Sequence, residues 1–122
     1  MTVLLVALGA AVGAPLRFLT DRALAGRSGV LPAGTLVVNV LGSGLLGLLG
    51  GLLLTGAVGP RWMVLAGTGF CGALTTFSTF GYETVRLVEQ RSGVAAAGNV
   101  AAHLTGGLVA VTLGWMLGAW LG

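Results

Sequence analysis

Nine charged side chains cut this chain of 122 residues into four uncharged runs, residues 1–16, 28–60, 62–82 and 92–122, and that spacing limits the fold more than any motif does. A helix needs about 20 apolar residues to cross a hydrocarbon layer about 30 Å thick, so each run supplies one span, the first by extending past Arg17. Only 7% of the residues are charged and 56% are hydrophobic. A soluble domain carries about 25% charge, so a water-facing globule is excluded. The expectation is an all-α integral membrane protein, a single domain over residues 1–122 with spans over about 2–20, 33–56, 61–85 and 95–121. No basic residue precedes the first apolar run and three spans follow it, so it reads as a retained helix rather than a cleaved signal peptide.

Between the spans, residues 21–31, with Arg22, Arg27 and Gly29, form the first connector, and Pro32 suits the opening turn of the second helix. Gly59 and Pro60 mark the next turn, and Arg86, Glu89, Gln90 and Arg91 the third connector. Arg22, Arg27, Arg86 and Arg91 lie on one side and Arg61 on the other, which favours the first and third connectors in the cytoplasm. The net charge of +3 comes from scattered arginines with no basic cluster, so lipid is the partner and nucleic acid is not. Small residues recur four apart at Gly9 and Gly13, at Ser43, Gly47 and Gly51, and at Gly114, Gly118 and Gly122, the spacing that lets membrane helices approach closely. Trp62, Trp115 and Trp120 fall where interfacial aromatics are expected.

Enzyme chemistry finds no footing. Gly67, Gly69 and Gly72 spell a dinucleotide fingerprint, but inside a span and with no parallel sheet around it. Cys71, the single cysteine, lies in the same span and reads as a small core residue. His103 has no carboxylate in its own span, and the acids Asp21, Glu83 and Glu89 all lie near membrane boundaries.

The third span is unusual. Gly67, Thr68, Gly69, Gly72, Thr75, Thr76, Ser78 and Thr79 concentrate glycine and hydroxyl in mid-membrane, where irregular backbone survives only against protein or a water-filled path. A helix break is expected near residues 72–76; the competing reading is a continuous helix packed through its glycines, its hydroxyls bonded to the preceding turn. Phe77 and Phe80 share a face, and the electropositive edge of a ring can hold an anion without trapping it, although plain core packing produces the same pair. Asn39, and Asn99 and His103 four apart on one face of the last helix, are polar groups of the kind that face a bundle interior or a water path. By depth, Arg17, Asn39, Phe77, Phe80, Asn99 and His103 share one half of the bilayer. One chain therefore offers a polar path through half the membrane, and an inverted second copy supplies the rest, so an antiparallel dimer is expected.

The segment 69–80, GFCGALTTFSTF, closely resembles the signature of the Fluc family of fluoride channels, also called CrcB. Gly13, Ala14, Arg17 and Phe18, and GTLVVNVLG over residues 34–42, resemble the family's other two blocks in the same order, and the likeness spans the whole chain. The resemblance implies a dual-topology homodimer in the cell inner membrane, exporting fluoride passively through two pathways and protecting the cell from its accumulation. It implies that Phe77 and Phe80 line the pore with Asn39, that Ser78 and Thr79 supply nearby hydroxyls, and that Arg17 is the vestibule arginine. It also implies a structural sodium ion on the dimer axis, held by the main-chain carbonyls of Gly72 and Thr75 from both copies. Two departures stand out: Ala73 replaces a commoner glycine, and Asn99 and His103 take positions where many members carry tyrosine and serine. The competing class is a small multidrug-type secondary exporter, also a four-helix chain pairing antiparallel. Such exporters resemble one another in a glutamate embedded in the first helix, and residues 2–16 contain no acid.

Overall fold

The computed structural model describes residues 1–26 and 32–122, and among these every regular element is helical. Helix α1 is Thr2–Leu24 and α2 is Ala33–Leu54. Helix α3 covers residues 60–74, opening with Pro60–Trp62, continuing as a π-helix over Met63–Cys71 and closing with Gly72–Leu74. Helix α4 is Ser78–Glu89 and α5 is Gly93–Leu121. Counting Pro60–Glu89 as one, four helices among the described residues are long and apolar enough to cross a membrane.

Helix ends differ from the sequence reading where local chemistry extends a turn. Helix α1 runs on to Leu24, past the expected end near residue 20: Arg22 in its last turn complements the negative end of the helix dipole and lies 5.7 Å from the Phe18 ring centre. The rest of the expected first connector, with Arg27 and Gly29, lies outside the described residues. Pro32 stands just before α2, in extended conformation, rather than inside its first turn. Most of the expected third connector is also helical, through Glu89, and the chain leaves that helix at Arg91, whose φ of 58° is left-handed. The π-helical stretch was not anticipated. Its wider turn depends on which carbonyl each amide reaches.

Backbone contact between glycines holds the bundle. The most extensive pairing joins α2 to α5, where Gly47 and Gly51 lie on the carbonyls of Val111 and Trp115, and Gly114 and Gly118 on those of Gly44 and Leu48. Helix α1 packs on the π-helical stretch in the same way, Gly9 against Leu65 and Phe70 and Gly13 against Phe70. A methyl group at any of these positions would collide with opposing main chain, so small residues set the interhelical distance. Trp115 lays its ring on Gly50. The buried apolar core among the described residues is small: Val38, Cys71, Leu74, Leu87 and Ala96. Large side chains such as Leu113 and Trp120 point outward. That arrangement is untenable in water and is the expected one in hydrocarbon.

Candidate functional site

The site forms where the third span stops being a helix. Leu74 is the last helical residue of α3; Thr75 swings to φ −79°, ψ 160°, and α4 begins only at Ser78. The Thr75 amide and hydroxyl both bond back to the Cys71 carbonyl at 2.9 Å, closing the helix end. Thr76 then leaves the helical ladder altogether. Its N–H donates to Asn39 Oδ1 at 2.8 Å, and its carbonyl accepts from Asn39 Nδ2 at 2.9 Å. One side-chain amide on α2 thus replaces both main-chain bonds that Thr76 would make in a helix, as irregular backbone at membrane depth requires. Gly42, three residues on from Asn39, leaves room for the Thr75 methyl group, which any side chain there would strike.

The same segment starts α4. Thr76 Oγ1 accepts from the Thr79 amide at 3.3 Å, donates to the Thr79 hydroxyl at 3.1 Å and lies 3.4 Å from Ser78 Oγ. Those hydroxyls therefore hold the first turn of α4, which directs the positive end of that helix toward the interruption.

Arg17 comes from α1 to the break, where its Nη1 donates to the Thr75 carbonyl at 3.3 Å. The Gly72 carbonyl is not taken by the residue four ahead, because the Thr76 amide is on Asn39, and Gly72 itself faces open space. Main-chain carbonyls at an unwound helix are hard oxygen donors of the class that holds sodium. Among the described residues no group of three or more His, Cys, Asp or Glu side chains could hold a metal.

Around the break, Phe77 and Phe80 stand with ring centres 5.8 Å apart, tilted by 53°, and His103 lies on the other side of Phe80 at 4.6 Å. Asn39, Ser43, Thr76, Phe77, Phe80 and His103 border a cavity of about 380 Å³, and Phe77 is 83% exposed. Asn99 has a different task. It is buried, and its Nδ2 donates to Thr84 Oγ1 at 3.0 Å, while Thr84 Oγ1 donates to the Phe80 carbonyl at 2.8 Å. Asn99 thereby pins α5 to the turn that carries Phe80 and does not border the cavity; nor does Ser78. His103 Nδ1 lies 2.9 Å from the Asn99 carbonyl, an atom that can only accept, so Nδ1 carries the proton.

A second cavity of about 650 Å³ lies toward the ends of α1 and α4, bordered by Asp21, Thr35, Thr79, Glu83 and Arg86. Thr35 donates to Glu83 Oε1 at 2.7 Å. Sequence reasoning missed Thr35, Glu83 and Thr84. Their signal was spacing: Thr35 is four residues before Asn39, Glu83 four after Thr79, and Thr84 four after Phe80, each on the face of a residue already singled out.

Four apolar spans that carry a clamped break, aromatic edges, hydroxyls and a helix N-terminus, with one guanidinium at its margin, define a multi-pass membrane protein built to pass a small solute. Residues 4–115 match the family described as "CrcB-like protein, Camphor Resistance (CrcB)". The chain is 50% identical over 115 residues to a protein of Streptomyces avermitilis named fluoride-specific ion channel FluC 1, covering 93% of each chain. It is 48% identical over 123 residues to a FluC 1 of Nocardia farcinica, covering 99% of this chain and 83% of that one. With the fluoride-specific ion channel FluC of Pseudomonas aeruginosa it shares 40% over 123 residues, 96% of this chain and 97% of the other. The chain belongs to the CrcB family.

Proposed function

We infer that this chain is a fluoride-specific channel of the plasma membrane, which lets fluoride leave the cell passively and so relieves its toxicity. The observation that carries the reading is the break at residues 75–77, held open by Asn39 and flanked by Phe77 and Phe80, within the segment that resembles the channel signature. A fixed positive charge in the pore would bind fluoride too tightly to release it; ring edges and hydroxyls favour an anion more weakly at several points, which conduction requires. Phe77, Phe80, Asn39 and His103 border the path in this reading. Ser78 and Thr79 support it through Thr76, Asn99 positions Phe80, and Arg17 stands at the mouth. A membrane potential that is negative inside favours anion exit by about 2.3 kcal/mol per charge per 100 mV, so no energy-coupling machinery is needed.

The working unit in this reading is an antiparallel, dual-topology homodimer. The contacts of Arg17, Asn39, Phe77, Phe80 and His103 fall in one cluster, which fits a polar path through half the membrane in each copy. The Gly72 and Thr75 carbonyls, doubled across a two-fold axis, would give a sodium ion four hard oxygens; when bound, the ion would supply positive charge that ties the two breaks together. Arg17 already donates to the Thr75 carbonyl, so it would share that oxygen with the ion, and its own charge would oppose the ion's.

The test is fluoride efflux from liposomes holding the purified protein, with chloride as control. Rapid loss of fluoride and retention of chloride is the expected result. Efflux no faster than from empty liposomes, by a protein that is folded and dimeric, overturns the reading.

A further inference from the structure

Two buried side-chain polar atoms have no hydrogen-bond partner among the described residues: Glu83 Oε2 and His103 Nε2. Glu83 lies on α4, the helix that carries Phe80, and His103 lies on α5 against the Phe80 ring. A buried polar atom without a partner is rare enough to need a reason.

The geometry restricts the states open to His103. With Nδ1 donating to the Asn99 carbonyl, the neutral ring presents a lone pair at Nε2, and only a second proton turns Nε2 into a donor. The ring is fixed there by Phe80 at 4.6 Å and by Asn99, itself tied to Thr84. The groups around it are few. From α4 the titratable neighbour is Glu83, which also feels Asp21; from α3 it is Cys71, on the same cavity; α2 contributes none to that cavity, and α5 holds no titratable residue besides His103. Arg17 is held on the Thr75 carbonyl.

We propose that His103 makes anion passage beside Phe80 depend on protonation: the imidazolium offsets the Glu83 charge and adds a donor where the neutral ring offers only a lone pair. The sign follows from the Glu83 carboxylate. Taking up a proton at Nε2 cancels a negative charge that repels the anion and leaves the pair without net charge, so the anion is admitted without being trapped and falling pH speeds its passage. The inference rests on the channel reading and deepens it, since it assigns the path a regulator that composition alone would not place there.

Two measurements test it. Fluoride efflux is followed between about pH 5 and 8 with equal pH on both faces, subtracting at each pH the leak of neutral hydrogen fluoride through empty liposomes. The wild type should conduct severalfold faster at the acidic end, His103→Gln should lose that slope, and Glu83→Gln should conduct faster than wild type at the alkaline end. A flat wild-type profile in a protein that conducts, or a slope that survives in His103→Gln, overturns the proposal and leaves the channel reading intact. Absence of conduction at every pH overturns the channel reading itself.

The second measurement does not depend on flux. His103 is the chain's one histidine, so its ring gives a single NMR titration in the protein without an affinity tag. By linkage, an anion that prefers the protonated ring must raise the titration midpoint. Added fluoride should move the midpoint upward and chloride should not; a midpoint indifferent to fluoride overturns the proposal even if His103→Gln fails to fold.

Discussion

Asn39 commits its whole side-chain amide to one residue, giving Oδ1 to the Thr76 N–H and Nδ2 to the Thr76 carbonyl. Asn39→Ala would strand both groups away from water, at about 1–3 kcal/mol for each unmet bond. That is enough to close or disorder the break while the four spans survive, so fluoride efflux should fall at least about tenfold with helical circular dichroism unchanged. An unchanged rate would mean that the clamp is dispensable. Phe80 presents a different case, because its ring meets both Phe77 and His103. Phe80→Ile keeps the apolar volume roughly constant and removes the ring edge, and should slow efflux sharply; unaltered flux would return Phe80 to ordinary core. Asn39 and Phe80 were legible in the sequence because a polar group and paired aromatics stand out in an apolar span. The Thr35 to Glu83 bond was not, because it joins residues 48 apart and neither is unusual near a membrane boundary. Asn99 was legible as a buried amide, but whether it faced a cavity or a neighbouring hydroxyl depended on the rotation of α5, which its weakly patterned apolar sequence leaves open.

Among the elements, the α2 and α5 pair tests how far small residues alone hold the bundle. A methyl group on Gly47 would run into the main chain at Val111 and Trp115, whereas one on Gly44 would meet Ala110 at 3.7–3.8 Å, an ordinary contact. Gly47→Ala should therefore cost about 1–3 kcal/mol by forcing the helices apart, and lower the melting temperature in detergent by several degrees; Gly44→Ala should leave it unchanged. Equal effects of the two would mean that the helices meet elsewhere. The four-residue spacing made this contact readable, because lipid offers no hydrophobic drive and close backbone approach is what remains. The same logic reaches Gly9 and Gly13 on α1. It does not reach the π-helical stretch of α3, whose extra residue per turn has no side-chain mark. Nor does spacing distinguish an interruption from a continuous helix; only the partner of the Thr76 amide, on another helix, makes that difference.

For the whole molecule, the informative property is that polar contacts are gathered in one cluster. Arg17 meets the break at Thr75, Asn39 at Thr76, and His103 meets Phe80, while the opposite half of the bundle, where Gly47, Gly51, Gly114 and Gly118 interlock, contains no comparable cluster among the described residues. A single copy would leave an anion facing an apolar half-membrane. In the channel reading proposed above, a parallel second copy would repeat the same half, whereas an inverted one would complete a path. The arginines pull the other way, since Arg22, Arg27, Arg86 and Arg91 oppose Arg61 alone. The bias bears on each chain as it inserts, whereas the demand for a continuous path bears on the pair. Gly59 gives a clean test, because it lies exposed in the second connector with open space around it, and Cys71 is buried and should not react. In intact cells making Gly59→Cys, a thiol reagent that cannot cross the membrane should label about half of the copies, and the remainder only once the membrane is opened, as inverted pairs require. Complete labelling from outside, or none, would show a single orientation, and the antiparallel pair would be lost whatever the flux measurements gave.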